Sequence, residues 1–153
     1  MNYFDQIEEL KKIIKANPNN FVNYFNLGNL YRKTNQLDLA IEIYQKCINK
    51  NKNNFQAYNN IANLYKEKKD INRSIDNFKL AIKINPNYHN AIYNLGSIYL
   101  NIKDYRNSYI YFINALKIVP NHIPTLNNLA VVLINTKKYN EALKYLNQII
   151  KID

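Results

Sequence analysis

Large apolar residues return along this chain at steps of three and four, in paired stretches separated by short polar breaks. Between residues 89 and 122 the first stretch is Ile92, Leu95, Ile98, Tyr99 and Ile102, and the second is Tyr105, Tyr109, Phe112, Ile113 and Leu116. Such steps put each set on one face of a helix. Lys103-Asp104 interrupts the two stretches, and Pro120 stops the second, because its ring and missing N–H cannot extend the helical ladder. The pattern predicts a helix–turn–helix hairpin.

The hairpin repeats. Asn26-Leu27-Gly28 comes back as Asn60-Ile61-Ala62, Asn94-Leu95-Gly96 and Asn128-Leu129-Ala130, each 34 residues after the last. Other columns keep the same interval: Tyr31, Tyr65, Tyr99 and Leu133; the small residues Ala40, Ser74, Ser108 and Ala142; the large residues Tyr44, Phe78, Phe112 and Leu146; and the mostly small Cys47, Ala81, Ala115 and Ile149. Pro18, Pro86 and Pro120 follow the period, with Lys52 in the remaining slot. A fixed period of this size is the mark of stacked structural repeats. Glycine inside a helix costs about 1 kcal/mol relative to alanine. Gly28 and Gly96 fall mid-helix, so close approach of a neighbouring helix is expected to offset that cost.

On these residues the chain resembles a tetratricopeptide repeat array. Tyr24, Leu27, Gly28, Tyr31, Ala40 and Tyr44 carry the match in the first repeat, and the later copies match comparably. The resemblance covers nearly the whole chain. It implies an all-α fold, a right-handed α-solenoid of antiparallel helix pairs, with the first helix of each pair lining a concave groove. Four repeats are expected at residues 21–54, 55–88, 89–122 and 123–153. Residues 1–20 should hold the second helix of a partial repeat, over residues 3–16, and all of this should form one continuous domain. The last helix carries Leu143, Leu146, Ile149, Ile150 and Ile152 where a capping helix would be polar. The expectation is a piece of a longer array or self-association through an exposed terminal helix.

One stripe on each first helix is largely polar. It reads Val22, Asn26, Asn29 and Lys33; Gln56, Asn60, Asn63 and Glu67; Asn90, Asn94, Ser97 and Asn101; Pro124, Asn128, Val131 and Asn135. Steps of four, three and four hold each set on one face. The resemblance makes that face the concave wall, with an asparagine column (Asn26, Asn60, Asn94, Asn128) similar to the ladders of O-GlcNAc transferase superhelices. Asparagine is a poor helix former, yet its amide both donates and accepts. Rungs of it could hold the backbone of an extended peptide. Phe25 and Tyr93, one residue before their asparagines, are candidate pocket aromatics, and Arg32, Lys33 and Lys66 would favour acidic groups at one rim. A chaperone-tail clamp is disfavoured. Asn29 and Asn60 match its uncharged members, but Phe25, Asn90 and Asn94 stand where its basic residues belong.

Composition tempers the asparagine argument. Asparagine is 30 of 153 residues, which a compositional bias of the source would explain for most positions. The net charge of +10 is spread evenly: zero over residues 1–20, then +3, +3, +2 and +2 over the four repeats. Most lysines fall on second helices or turns, the pattern of a solvated outer face rather than a nucleic-acid footprint. The single cysteine, Cys47, allows no internal disulfide and sits in a small column as a packing residue. No signal peptide opens the chain and no apolar run approaches membrane-spanning length, so an intracellular, cytoplasmic location is expected, with the nucleus left open. Asn72-Arg73-Ser74 fits a glycosylation sequon by accident on that reading.

Little here suggests chemistry. His89 and His122 are the two histidines, 33 residues apart, with no carboxylate or cysteine at ligand spacing. There is no phosphate loop or nucleophile elbow, and Glu8 and Glu9 point apart. The expected function is a non-catalytic scaffold, with no cofactor, metal, small-molecule substrate or membrane insertion, that binds an extended segment of a protein partner. Its site residues would be Asn26, Asn29, Asn60, Asn63, Asn94, Ser97, Asn128, Phe25, Tyr93, Lys33 and Lys66. The alternatives are the substrate-recruiting array of a larger enzyme resembling an O-GlcNAc transferase, and a basic RNA-binding array.

Overall fold

The computed structural model describes residues 2–152. Among them are nine helices and no strand: α1 (Tyr3–Ala16), α2 (Phe21–Lys33), α3 (Leu37–Lys50), α4 (Phe55–Glu67), α5 (Ile71–Ile84), α6 (His89–Asn101), α7 (Tyr105–Ile118), α8 (Ile123–Asn135) and α9 (Tyr139–Ile150). Packing groups them into two compact units, Met1–Ile84 and Asn85–Asp153. In the first, α2 pairs with α3 and α4 with α5, while α1 packs on α2 and α3 on α4. In the second, α6 pairs with α7, α8 with α9, and α7 packs on α8.

The helix starts show one use of the asparagine-rich composition. Asn2, Asn20 and Asn54 cap α1, α2 and α4 with their side-chain oxygens, accepting from the amides of Asp5, Val22 and Ala57. Asp104 does the same for α7. Each such cap satisfies an amide that the first turn leaves unpaired.

The turn inside each pair also repeats. Asn35, Lys69, Lys103 and Lys137 all adopt a left-handed backbone, with φ of 57°, 62°, 62° and 61°. The following amide reaches back to the first helix: Gln36 to the Tyr31 carbonyl at 2.8 Å, Asp70 to Tyr65 at 2.9 Å, Asp104 to Tyr99 at 2.8 Å and Lys138 to Leu133 at 2.8 Å. This is the Schellman closure, a position that usually selects glycine. The chain uses none there, so the sequence marks the break without marking its handedness.

The two helix-interior glycines sit under aromatic rings. A Cβ on Gly28 would lie 2.6 Å from Tyr44 Cε1, and one on Gly96 would lie 2.9 Å from Phe112 Cδ1. Tyr44 and Phe112 are completely buried. The close approach expected at these glycines is present, between the two helices of a pair. The small column adds a feature that size alone does not predict. Ser74 Oγ donates to the Ala62 carbonyl at 2.7 Å and Ser108 Oγ to the Gly96 carbonyl at 3.0 Å. Both serines are fully buried, so each hydroxyl pins a second helix to the first where they approach. Cys47 is also fully buried, and burial pushes its thiol up to about 11. Leu143 and Ile150 of α9 remain exposed.

Candidate functional site

In the first unit, α2 and α4 turn Tyr24, Leu27, Tyr31, Ile61 and Leu64 into the core and leave the amide stripe outside it. Asn26 and Lys33 are exposed, and Asn29, Asn60, Asn63 and Lys66 are half-buried. The stripe meets the core at one hydroxyl. Tyr44 Oη, on α3, donates to Asn29 Oδ1 at 2.6 Å. Asn60 Nδ2 then donates to Tyr44 Oη at 3.1 Å and to Asn29 Oδ1 at 3.2 Å. Burial pushes the Tyr44 phenol up to about 12, against the opposing pull of the Asn60 bond and the Arg32 charge. Phe25 packs on the same ring, 5.7 Å between centroids, and keeps part of its surface open. Asn63 Nδ2 is spent on the Asn59 carbonyl at 3.0 Å.

In the second unit, Asn94, Ser97, Asn128 and Tyr93 are all half-buried. Ser97 Oγ returns to the Tyr93 carbonyl at 3.0 Å, and Asn128 Nδ2 donates to Tyr93 Oη at 3.3 Å. The Tyr93 ring packs against Phe112 at 6.1 Å and edge-on to His122 at 5.1 Å. The two histidines, isolated in sequence, meet here with ring centroids 4.4 Å apart. Three residues of α6 separate His89 from Tyr93, and His122 caps the start of α8, so the contact of α6 with α8 brings all three rings together. His122 Nδ1 lies 2.6 Å from the buried Thr125 hydroxyl, and His89 Nε2 is buried without a partner. Burial, with the adjacent His89, lowers the His122 pKa. No group of three or more His, Cys, Asp or Glu able to hold a metal ion occurs among the described residues.

Tetratricopeptide repeat models match residues 9–42, 28–69, 55–88, 89–122 and 123–153, together spanning the chain from residue 9 onward. The chain belongs to the tetratricopeptide repeat family. No curated protein matches this tetratricopeptide array by sequence. Among solved structures it is similar to MamA (TM-score 0.89, 23% identity, covering 97% of this chain and 87% of that one). It is also similar to YrrB, described as a TPR protein with an unusual peptide-binding site (0.86, 22%, 96% and 76%). A third is MamA from Desulfovibrio magneticus (0.85, 14%, 97% and 84%). These likenesses establish the fold, the all-α solenoid class of the tetratricopeptide repeat. Among the described residues no helix is long and apolar enough to cross a membrane.

Within this tetratricopeptide array the asparagine column divides into two kinds. Asn60 and Asn128 donate to tyrosine hydroxyls, whereas the side chains of Asn26 and Asn94 make no hydrogen bond among the described residues. Sequence reasoning passed over two contributors. Tyr44 brings a hydroxyl to the stripe from a second helix, and its column offered a signal, since Phe78, Phe112 and Leu146 have no such group. Asn59 is the other. It is 6% exposed, its Oδ1 lacks a partner, and it occupies the slot that Phe25 and Tyr93 fill in the first and third repeats.

Proposed function

We propose that this chain is a non-catalytic scaffold that holds an extended segment of a partner protein against the amide stripe of its first helices. The observation that carries this reading is the unspent state of Asn26 and Asn94. An amide that neither packs into the core nor bonds within the fold has both a donor pair and an acceptor to offer a peptide backbone. Asn29 and Asn60 support the reading differently, as side chains oriented by Tyr44 at the edge of the first unit's stripe, and Asn128 is oriented by Tyr93 in the second unit. Lys33 and Lys66 would supply charge at its rim. Phe25 and Tyr93, each leaning on its own second helix, would present a ring edge to the bound segment.

The engagement of Asn60 with Tyr44 dictates which variants test the idea. Removing Asn60 disturbs a buried hydroxyl, so lost binding would be confounded with lost packing. Asn26→Ala combined with Asn94→Ala removes the two uncommitted amides of the asparagine column. A net amide hydrogen bond contributes about 0.5–1.5 kcal/mol. The double variant should therefore lower affinity for peptides selected on the wild-type chain by roughly tenfold, with an unchanged melting temperature. Equal affinity in both proteins would refute the role of the stripe.

A further inference from the structure

Two cavities adjoin at the α1–α2 edge of the first unit, with Asn29 and Lys33 as shared walls. One, of about 450 Å³, has Leu10 and Ile13 of α1 and Leu30 of α2 as its apolar floor, with Asn26 on its α2 side. The other, of about 460 Å³, is lined by Asn29, Arg32 and Lys33. Leu30 is buried, Leu10 half-buried and Ile13 41% exposed, so the first floor is a partly covered aliphatic patch. The second is cationic. Neither Arg32 nor Lys33 has a carboxylate partner among the described residues. Lys33 Nζ stands 6.0 Å from the Tyr3 ring centroid, held toward α1.

The surrounding charges set a direction. Glu9 lines the α1 side of the aliphatic cavity, and its neighbour Glu8 is paired with Lys11 at 2.8 Å. A second carboxylate is repelled there and attracted on the α2 side by two cations. The second unit has no equivalent, because its first helices, α6 and α8, contain no Asp, Glu, Lys or Arg.

We propose that this edge reads side chains on the segment held by the stripe: an aliphatic side chain over Leu10, Ile13 and Leu30, and beside it an Asp or Glu at Arg32 and Lys33. The inference rests on the groove reading of the preceding section. It assigns to the partner a neighbouring aliphatic–acidic pair. The aliphatic group gains by leaving water. The carboxylate gains a charge-assisted bond to a guanidinium whose fork geometry suits it.

The test uses the whole chain and three synthetic peptides in a Ser/Ala background, carrying Leu-Glu, Leu-Gln or Ser-Glu at the centre, titrated by fluorescence anisotropy. The Leu-Glu peptide should bind about tenfold more tightly than Leu-Gln at low salt, and the ratio should shrink as salt screens exposed charge. Ser-Glu should be weaker than Leu-Glu. Arg32→Gln with Lys33→Gln, both exposed positions, should bring the Leu-Glu to Leu-Gln ratio to one while leaving the helical signal unchanged. Equal binding of Leu-Glu and Leu-Gln, or a ratio that persists in the double variant, overturns the proposal. If both peptides bind equally and both weaken with Asn26→Ala and Asn94→Ala, the groove reading stands and the side-chain reader falls. Binding of none of the peptides counts against both.

Discussion

Gly28→Ala is a small change whose outcome is set by the contact with Tyr44. On propensity alone the substitution stabilises a helix interior by about 1 kcal/mol. The packing argues the opposite. The new methyl would lie 2.6 Å from Tyr44 Cε1 and 2.7 Å from Cδ1, so the ring must retreat by about 0.8 Å to reach ordinary contact at 3.4 Å. It has no free direction. Tyr44 is fully buried, Phe25 packs on it, and its hydroxyl is held by Asn29 at 2.6 Å and Asn60 at 3.1 Å. Overpacking of this kind costs about 1–3 kcal/mol, and loosening one buried hydrogen bond adds about 1 kcal/mol. These outweigh the propensity gain by about 2 kcal/mol, which corresponds to a melting temperature lowered by roughly 4–8 °C in a chain of this size. Gly96→Ala should be milder, since its methyl would meet Phe112 at 2.9 Å and that ring has no hydroxyl to tether it. Adding Tyr44→Leu, the residue type at Leu146 in the same column, should recover part of the loss in a double-mutant cycle. Circular dichroism melts of the four proteins decide the matter. A Gly28→Ala variant as stable as the wild type, or more so, would refute the reasoning.

Lys103→Gly should raise stability by about 1 kcal/mol, because a left-handed φ of 62° strains a residue with a Cβ; an unchanged or lower urea midpoint would count against it. The His122 pKa is depressed, so the unfolded chain takes up its proton first. Stability tied to His122 should be fully present above about pH 6.5 and fall away below it; His122→Gln should flatten the acid limb of the melting curve, and an identical slope would be contrary evidence. Cys47, raised from 9.0 to about 11 and fully buried, should resist thiol reagents at pH 8 until denaturant opens the array, with immediate labelling of native protein as the opposing result.

The helices themselves were legible from the apolar spacing. The stretch read as 3–16 is α1 over Tyr3–Ala16, and both helix-interior glycines lie where the period puts them, because an amphipathic stripe needs only local sequence to declare itself. The left-handed turns were not legible as such. Asn35, Lys69, Lys103 and Lys137 carry side chains that ordinarily avoid that backbone, and the donors that close the turn, Gln36, Asp70, Asp104 and Lys138, share no sequence signature. The candidate site was legible as a stripe and not as a set of hydrogen bonds. Periodicity says which residues share a face, but it cannot say which of them the rest of the chain has already engaged.

Sequence by itself settled that this chain is an all-α array of paired helices in 34-residue steps, since period, small columns and apolar phase are all properties of one strand of text. Tertiary structure decided what each position does within that plan. It set Tyr44 between Asn29 and Asn60, brought His89 to within 4.4 Å of His122, and left Asn26 and Asn94 uncommitted. The reason is physical: a hydrogen bond or ring contact between residues 15, 31 or 33 places apart depends on the angle and depth at which helices meet. Those quantities come from all the side chains at the interface together, and no single column records them.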